Sequence, residues 1–139
     1  MFGRILHAND GSEPAFRAFA LALDIARQNG AELHLVCVEE IPYLPEYIEE
    51  VREETRSAGR RFHGVVQRAR AAAERHQITL QAHVLAGHPV RTIVELAHVL
   101  GADLLVIGAT GHSQLYERMI GSRADRLVHL APCPVLVVK

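Results

Sequence analysis

Residues 103–122 read DLLVIGATGHSQLYERMIGS. The run DLLVI at 103–107 is aliphatic in all but its first residue, the composition of a strand buried on both faces. The chain then passes through Gly108, Ala109, Thr110 and Gly111 and shows little helical periodicity as far as Ile120. At Ser122 a new signal begins: a serine followed three residues later by Asp125 reads as a capping box, with aspartate in the glutamate position. A buried strand feeding a helix through a glycine-rich connection is the repeating unit of a parallel α/β sheet.

Working outward, the same alternation recurs. RILHA at 4–8 is a short apolar run, after which Ser12 and Pro14 signal a helix start. Phe16, Phe19, Ala20, Leu23 and Ala26 follow at helical spacing, and Gly30 ends that pattern. ELHLVCV at 32–38 is a second apolar run, and Pro42 and Pro45 mark a connection. A long helical stretch carries Ala58, Phe62, Val65, Val66, Ala69 and Ala72 on one face and ends near His76. ITLQAHVL at 78–85 alternates like a half-exposed strand. Gly87 and Pro89 precede a helix with Val90, Ile93, Val94, Ala97 and Leu100 facing inward. Leu127, Val128 and Leu130 belong to the last helix, which Pro132 and Pro134 stop before the final strand VLVV at 135–138. The order β-α-β-α-β-α-β-α-β predicts a single domain, 1–139, with a five-stranded parallel sheet between two helical layers and right-handed crossovers.

Composition narrows the function classes. Hydrophobic residues are 49% and charged residues 22%, so a packed core is expected and disorder is not. A net charge of −1 argues against a surface built for nucleic acid or anionic membrane. The arginines at 56, 60, 61, 68, 70 and 75, preceded by glutamates at helical spacing, read as a solvated helix face. Cys37 and Cys133 lie in or beside apolar runs and read as reduced packing residues. No stretch approaches a membrane span and no signal-like apolar region opens the chain, so a cytoplasmic location is expected.

Ligands of open parallel sheets bind beyond the carboxyl ends of the strands, where the winding reverses. A strand order of 3-2-1-4-5 would set the end of the first strand against the end of the fourth. The turn-forming residues cluster at those two junctions: Asn9, Asp10, Gly11 and Ser12 after the first, and Gly108 to Gly111 after the fourth. Gly108, Gly111, Gly121 and Ser122 fit a spacing of G-x2-G-x9-G-S. Glycines let backbone amides approach an anion closely and permit left-handed geometry, and a helix N-terminus favours phosphate. Arg118 and Arg123 add charge-assisted donors. A turn plus a helix cap is the bland alternative. The sole lysine is Lys139, so the Walker pattern is impossible, and GxGxxG is absent after the first strand.

Taken together, ILHANDGS at 5–12, GHPVRTIVELA at 87–97, residues 103–122 and APCPVLVVK at 131–139 resemble the universal stress protein family over essentially the whole chain, and the glycine spacing resembles its ATP-binding branch. The resemblance implies the three-layer, adenine nucleotide alpha hydrolase-like sandwich with strand order 3-2-1-4-5. It further implies ATP, ADP or AMP as ligand, with Mg²⁺ or Mn²⁺ on the phosphates. Asp10 would lie by the ribose or adenine. The backbone at Val38 would meet the adenine edge. Gly108, Gly111, Gly121 and Ser122 would hold ribose and phosphates, joined by Arg123. Members of this branch dimerise through the final strand, and VLVV at 135–138 would be an apolar edge that invites pairing. Asn9 and Arg123 depart from the family's usual residues.

Nine histidines raise a metal hypothesis, but no HExxH or Cys/His ligand set exists. His83 and His88 read as surface or packing residues. His7 is expected to be a neutral, hydrogen-bonded core residue. His112, with Thr110 and Ser113, is a candidate for phosphate contact. GxSxG is absent, and Ser12 and Ser122 read as caps. Three functions stay open at this level: a nucleotide-binding regulatory or stress-response module with slow or no hydrolysis, a nucleotide-free interaction dimer, and a weak ATPase.

Overall fold

Strands and helices alternate from end to end in the computed structural model, which describes residues 1–41, 59–110 and 120–139. The elements are β1 (Arg4–Ala8), α1 (Glu13–Asn29), β2 (Glu32–Glu40), α2 (His63–Arg75), β3 (Leu80–Gly87), α3 (Pro89–Leu100), β4 (Leu104–Gly108), α4 (Ser122–Leu130) and β5 (Val135–Val138). All four strand pairings are parallel, in the order β3-β2-β1-β4-β5. The predicted sheet and its order are therefore observed.

The period-2 alternation of the strands splits the core in two. Ile5, Leu33, Leu35, Cys37, Leu104 and Val106 face α1 and α2. Leu6, Val36, Leu105 and Ile107 face α3 and α4. β1, β2 and β4 thus carry apolar residues on both faces, as central parallel strands must. α1 buries Ala15, Ala18, Phe19, Ala22, Leu23 and Ala26, whereas Ala20 turns to solvent. The small side chains let the helix lie close on the sheet, and Phe19 fills the space between them. On the opposite layer Val90, Ile93 and Ala97 of α3 meet Ala124 and Leu127 of α4, while Val128 and Leu130 remain about half exposed.

Several boundaries differ from those read in the sequence, each for a hydrogen-bonding reason. β2 runs past Val38 because β3 keeps pairing with it, through Glu39 with Ala86 and Glu40 with Gly87. β3 starts at Leu80, two residues late, because Ile78 N–H donates to Ala73 O (2.9 Å) and Gln77 takes a left-handed φ of 57°, closing α2. Asp103 is not part of β4. Its N–H donates to Arg4 O, and its carboxylate accepts from Gly3 N (2.8 Å) and Arg4 N (3.1 Å). It thereby locks the amino ends of β1 and β4 together.

Helix starts separate the two serines. Ser12 caps α1, its Oγ accepting from Ala15 N (3.3 Å). Ser122 does not cap α4: Gly121 is the N-cap, no side chain bonds there, and Ser122 is already helical. The capping-box reading of Ser122 and Asp125 is thus corrected. Backbone proximity explains it. Gly121 N–H donates to Ala109 O at 2.7 Å, and a Cβ at Gly121 would stand 3.3 Å from that same oxygen. A side chain at the cap position would fit only if Ala109 O gave way by a few tenths of an ångström, so glycine suits it.

Candidate functional site

The carboxyl ends of β1, β2 and β4, with the first turns of α3 and α4, enclose a cleft of about 690 Å³ including its open mouth. It lies where the sheet winding reverses, between β1 and β4. Of the residues singled out in the sequence, Asp10, Val38, Gly108, Gly121 and Arg123 line it together. Ser122 is exposed and not part of the lining, although both its neighbours are. Gly111 lies outside the described residues, as do Arg118, His112 and Ser113.

The β1 side of the cleft is a turn held by two consecutive side chains. Asn9 N–H donates to Val36 O (3.0 Å), and Asn9 Oδ1 accepts from Gly11 N (2.7 Å). Asp10 Oδ1 accepts from Ser12 N (3.0 Å). Gly11 has φ of 87°, a left-handed conformation that glycine adopts without strain. The turn thereby presents Asp10 at the cleft wall and delivers Ser12 to cap α1.

Beneath it lies a buried polar pair. His7 Nδ1 sits 2.9 Å from Val106 O, so this nitrogen carries the proton and donates. Nε2 is then an acceptor, and Asn9 Nδ2 donates to it at 3.1 Å. Burial pushes the His7 pKa down to about 4, against smaller opposing effects of the Val106 hydrogen bond and the Asp10 charge. The imidazole is neutral at physiological pH, as expected, and Phe19 packs on it at 5.3 Å between ring centroids. Asn9, a departure at sequence level, is therefore the residue that satisfies His7.

On the β4 side, the glycines work by closeness rather than by left-handed geometry. Neither Gly108 nor Gly121 has a positive φ. A Cβ at Gly108 would stand 3.3 Å from both Pro14 O and Thr110 O. Ala109 N–H donates to Val138 O, and Gly121 N–H to Ala109 O, so these two amides are engaged within the protein. Asp125 N–H donates to Gly121 O (3.0 Å). The first-turn amides of Ser122, Arg123 and Ala124 have no intrahelical acceptor in an α-helix. These donors, with the positive end of α4, are the anion-binding capacity of this wall.

Sequence reading missed the apolar wall. Val36, Pro89, Val90, Ile93, Ile107 and Leu127 line the cleft. Val90 and Ile93 were legible as inward-facing positions of α3, but the same periodicity describes core and cleft wall alike. It also missed Glu40, whose Oε2 lies 2.6 Å from Nη2 of Arg123. At the other end of β2, His34 Nδ1 and His83 Nε2 approach to 2.9 Å with stacked rings. Among the described residues no cluster of three or more His, Cys, Asp or Glu is arranged to hold a metal ion. No helix among them is long and apolar enough to cross a membrane. Cys37 is buried, and burial together with the Asp10 charge pushes its thiol up to about 12, which makes it inert.

The profile of the universal stress protein family matches residues 1–139. A universal stress protein of Thermus aquaticus is 36% identical over 139 residues, covering 100% of both chains. Among solved structures, the universal stress protein UspA of Lactobacillus plantarum has a TM-score of 0.83 at 28% identity, over 99% of this chain and 98% of that one. A universal stress protein in complex with cAMP has a TM-score of 0.75 at 25% identity, over 99% of this chain and 97% of that one. By sequence and by fold, the chain belongs to the universal stress protein family.

Proposed function

We propose that the cleft binds an adenine nucleotide, ATP or its ADP or AMP counterpart, and that the protein acts as a nucleotide-binding regulatory module in the stress response. The observation that carries this reading is one cleft with two chemistries. An apolar wall of Val36, Val90, Ile93 and Ile107 is of the kind that takes a purine ring. The rim carries Asp10 on one side, and Gly108, Gly121 and the first turn of α4 on the other. That arrangement suits a ribose hydroxyl at the carboxylate and phosphates at the helix amides. The related protein in complex with cAMP supports the adenine class. In this reading Val38 meets the adenine edge by its backbone, and Gly111, Gly121, Ser122 and Arg123 attend the phosphates.

A divalent cation, Mg²⁺ or Mn²⁺, would be carried mainly on the phosphate oxygens, which is how Mg²⁺ is usually bound with nucleotides. Hydrolysis is slow or absent in this reading. His7, the histidine beneath the cleft, is buried and has both ring nitrogens in hydrogen bonds, so it is not free to orient a water. We place the protein in the cytoplasm as a homodimer joined through residues 135–138.

The test is calorimetry with ATP on purified protein, alongside Gly121→Val. Binding by the wild type and its loss in the variant are expected, because the branched side chain would crowd Ala109 O, 3.3 Å from its Cβ, and fill space at the first turn of α4 that the phosphates would occupy. No heat of binding at millimolar ATP would defeat the reading. A second reading, a dimer that works without nucleotide, is favoured by one observation: Arg123 is already engaged by Glu40. Mass spectrometry of ligand released on denaturation separates the two.

A further inference from the structure

β2 ends in two glutamates, which strand alternation sends to opposite faces of the sheet. Glu39 pairs with Arg61, just ahead of α2. Glu40 points to the other face and pairs with Arg123, in the first turn of α4. The second pair has an unusual reach. α4 follows β4, and β1 lies between β2 and β4 in the sheet. Two strand spacings amount to about 10 Å. The ion pair therefore crosses over the end of β1, where Ala8, Asn9 and Asp10 line the cleft.

Arg123 is the one basic side chain among the described residues lining the cleft, and Asp10 the one acidic. Arg123 is thus the one side-chain cation among these lining residues that a ligand with several phosphate charges can meet, and Glu40 already holds it at 2.6 Å. Both partners are a little over half exposed, 54% and 55%, so water screens the bond. A screened pair of this kind shifts an equilibrium by about two- to five-fold, enough to compete and too little to lock.

We propose that Glu40 tempers the preference of the cleft for a nucleoside polyphosphate over the unphosphorylated nucleoside by competing with the distal phosphates for Arg123. An unphosphorylated nucleoside leaves the pair intact. A nucleoside polyphosphate draws the guanidinium off the carboxylate and binds it by a bidentate, charge-assisted contact. Glu40 thus reduces the advantage of the polyphosphate over the nucleoside. This inference rests on the nucleotide reading of the cleft.

The test is calorimetry of ATP and of adenosine with wild type, Glu40→Gln, Arg123→Gln and the double variant. Glu40→Gln is expected to tighten ATP by about two- to five-fold and leave adenosine unchanged. Arg123→Gln is expected to weaken ATP by about ten-fold. In the double variant the gain from Glu40→Gln should vanish, because Glu40 acts only through Arg123. A gain that persists without Arg123 means direct repulsion by Glu40 and overturns the proposal. So does ATP binding that is identical in wild type and Glu40→Gln, which leaves the nucleotide reading standing. Absence of binding by both ligands to every variant overturns the two together.

Discussion

Asn9 Nδ2 donates to His7 Nε2 at 3.1 Å, and the direction of that bond is set two links away, where His7 Nδ1–H donates to Val106 O. A side chain lining the cleft is thus oriented by the backbone of β4, through a buried ring on β1. With Nδ2 turned to the histidine, Oδ1 is left to accept from Gly11 N–H. The Asn9–Ser12 turn therefore depends on the β1–β4 pairing as well as on its own residues.

Asn9→Ala should destabilise the fold by about 2 kcal/mol, since it strands a buried acceptor on His7 and removes the acceptor of Gly11 N–H. Urea unfolding reads the change. A difference within about 0.5 kcal/mol would mean that water replaces the carboxamide without loss.

His7 also makes stability depend on pH. Its folded pKa of about 4 lies below the ordinary 6.5, so the unfolded chain binds the extra proton first. The stabilisation is complete above about pH 6.5 and is lost as pH falls from there toward 4, about 3 kcal/mol in all. His83, whose pKa burial and the neighbouring His34 also lower, adds in the same direction. His7→Gln should flatten the profile of unfolding midpoints between pH 7.5 and 4.5. Parallel profiles for variant and wild type would assign the dependence elsewhere.

Gly11→Ala tests the turn directly. The φ of 87° is strained for any L side chain, and the new Cβ would stand 3.1 Å from Val65 Cγ2. A loss of about 1–2 kcal/mol is expected in thermal or urea unfolding. Unchanged stability would show that the turn adopts another conformation in solution.

β5 is an edge strand of four aliphatic residues, all half-buried. Leu105 N–H donates to Pro134 O and Ala109 N–H to Val138 O, so the even-numbered residues bond β4. By the parallel pattern, the amides of Val135 and Val137 face the free edge. If residues 135–138 join two copies, Val137→Pro removes an outward donor while sparing the bonds to β4. Light scattering should then report a monomer where the wild type is a dimer. A variant that stays dimeric would place the interface elsewhere.

Much of the fold was legible because its signals are local. The aliphatic runs, the Ser12 cap, Gly30 and the residues flanking Pro89 each announce a boundary through the few residues around them. The same holds for the Asn9–Ser12 turn and for the glycines at 108 and 121. Boundaries failed where a partner strand or a returning chain supplied the hydrogen bonds, as at Glu39 and Glu40, Ile78 and Asp103. The cap of α4 failed for the same reason, since Ala109 O, twelve residues back, decides it.

The linear chain determined an alternating α/β protein, its family likeness and the two glycine-bearing junctions, since periodicity and turn chemistry act between neighbours in sequence. The tertiary structure alone decided that Val36, Val90 and Ile107 share one wall, that Asn9 completes His7, and that Glu40 holds Arg123 from 83 residues away. Those relations arise from strand order and helix placement, which bring together groups that no local rule connects.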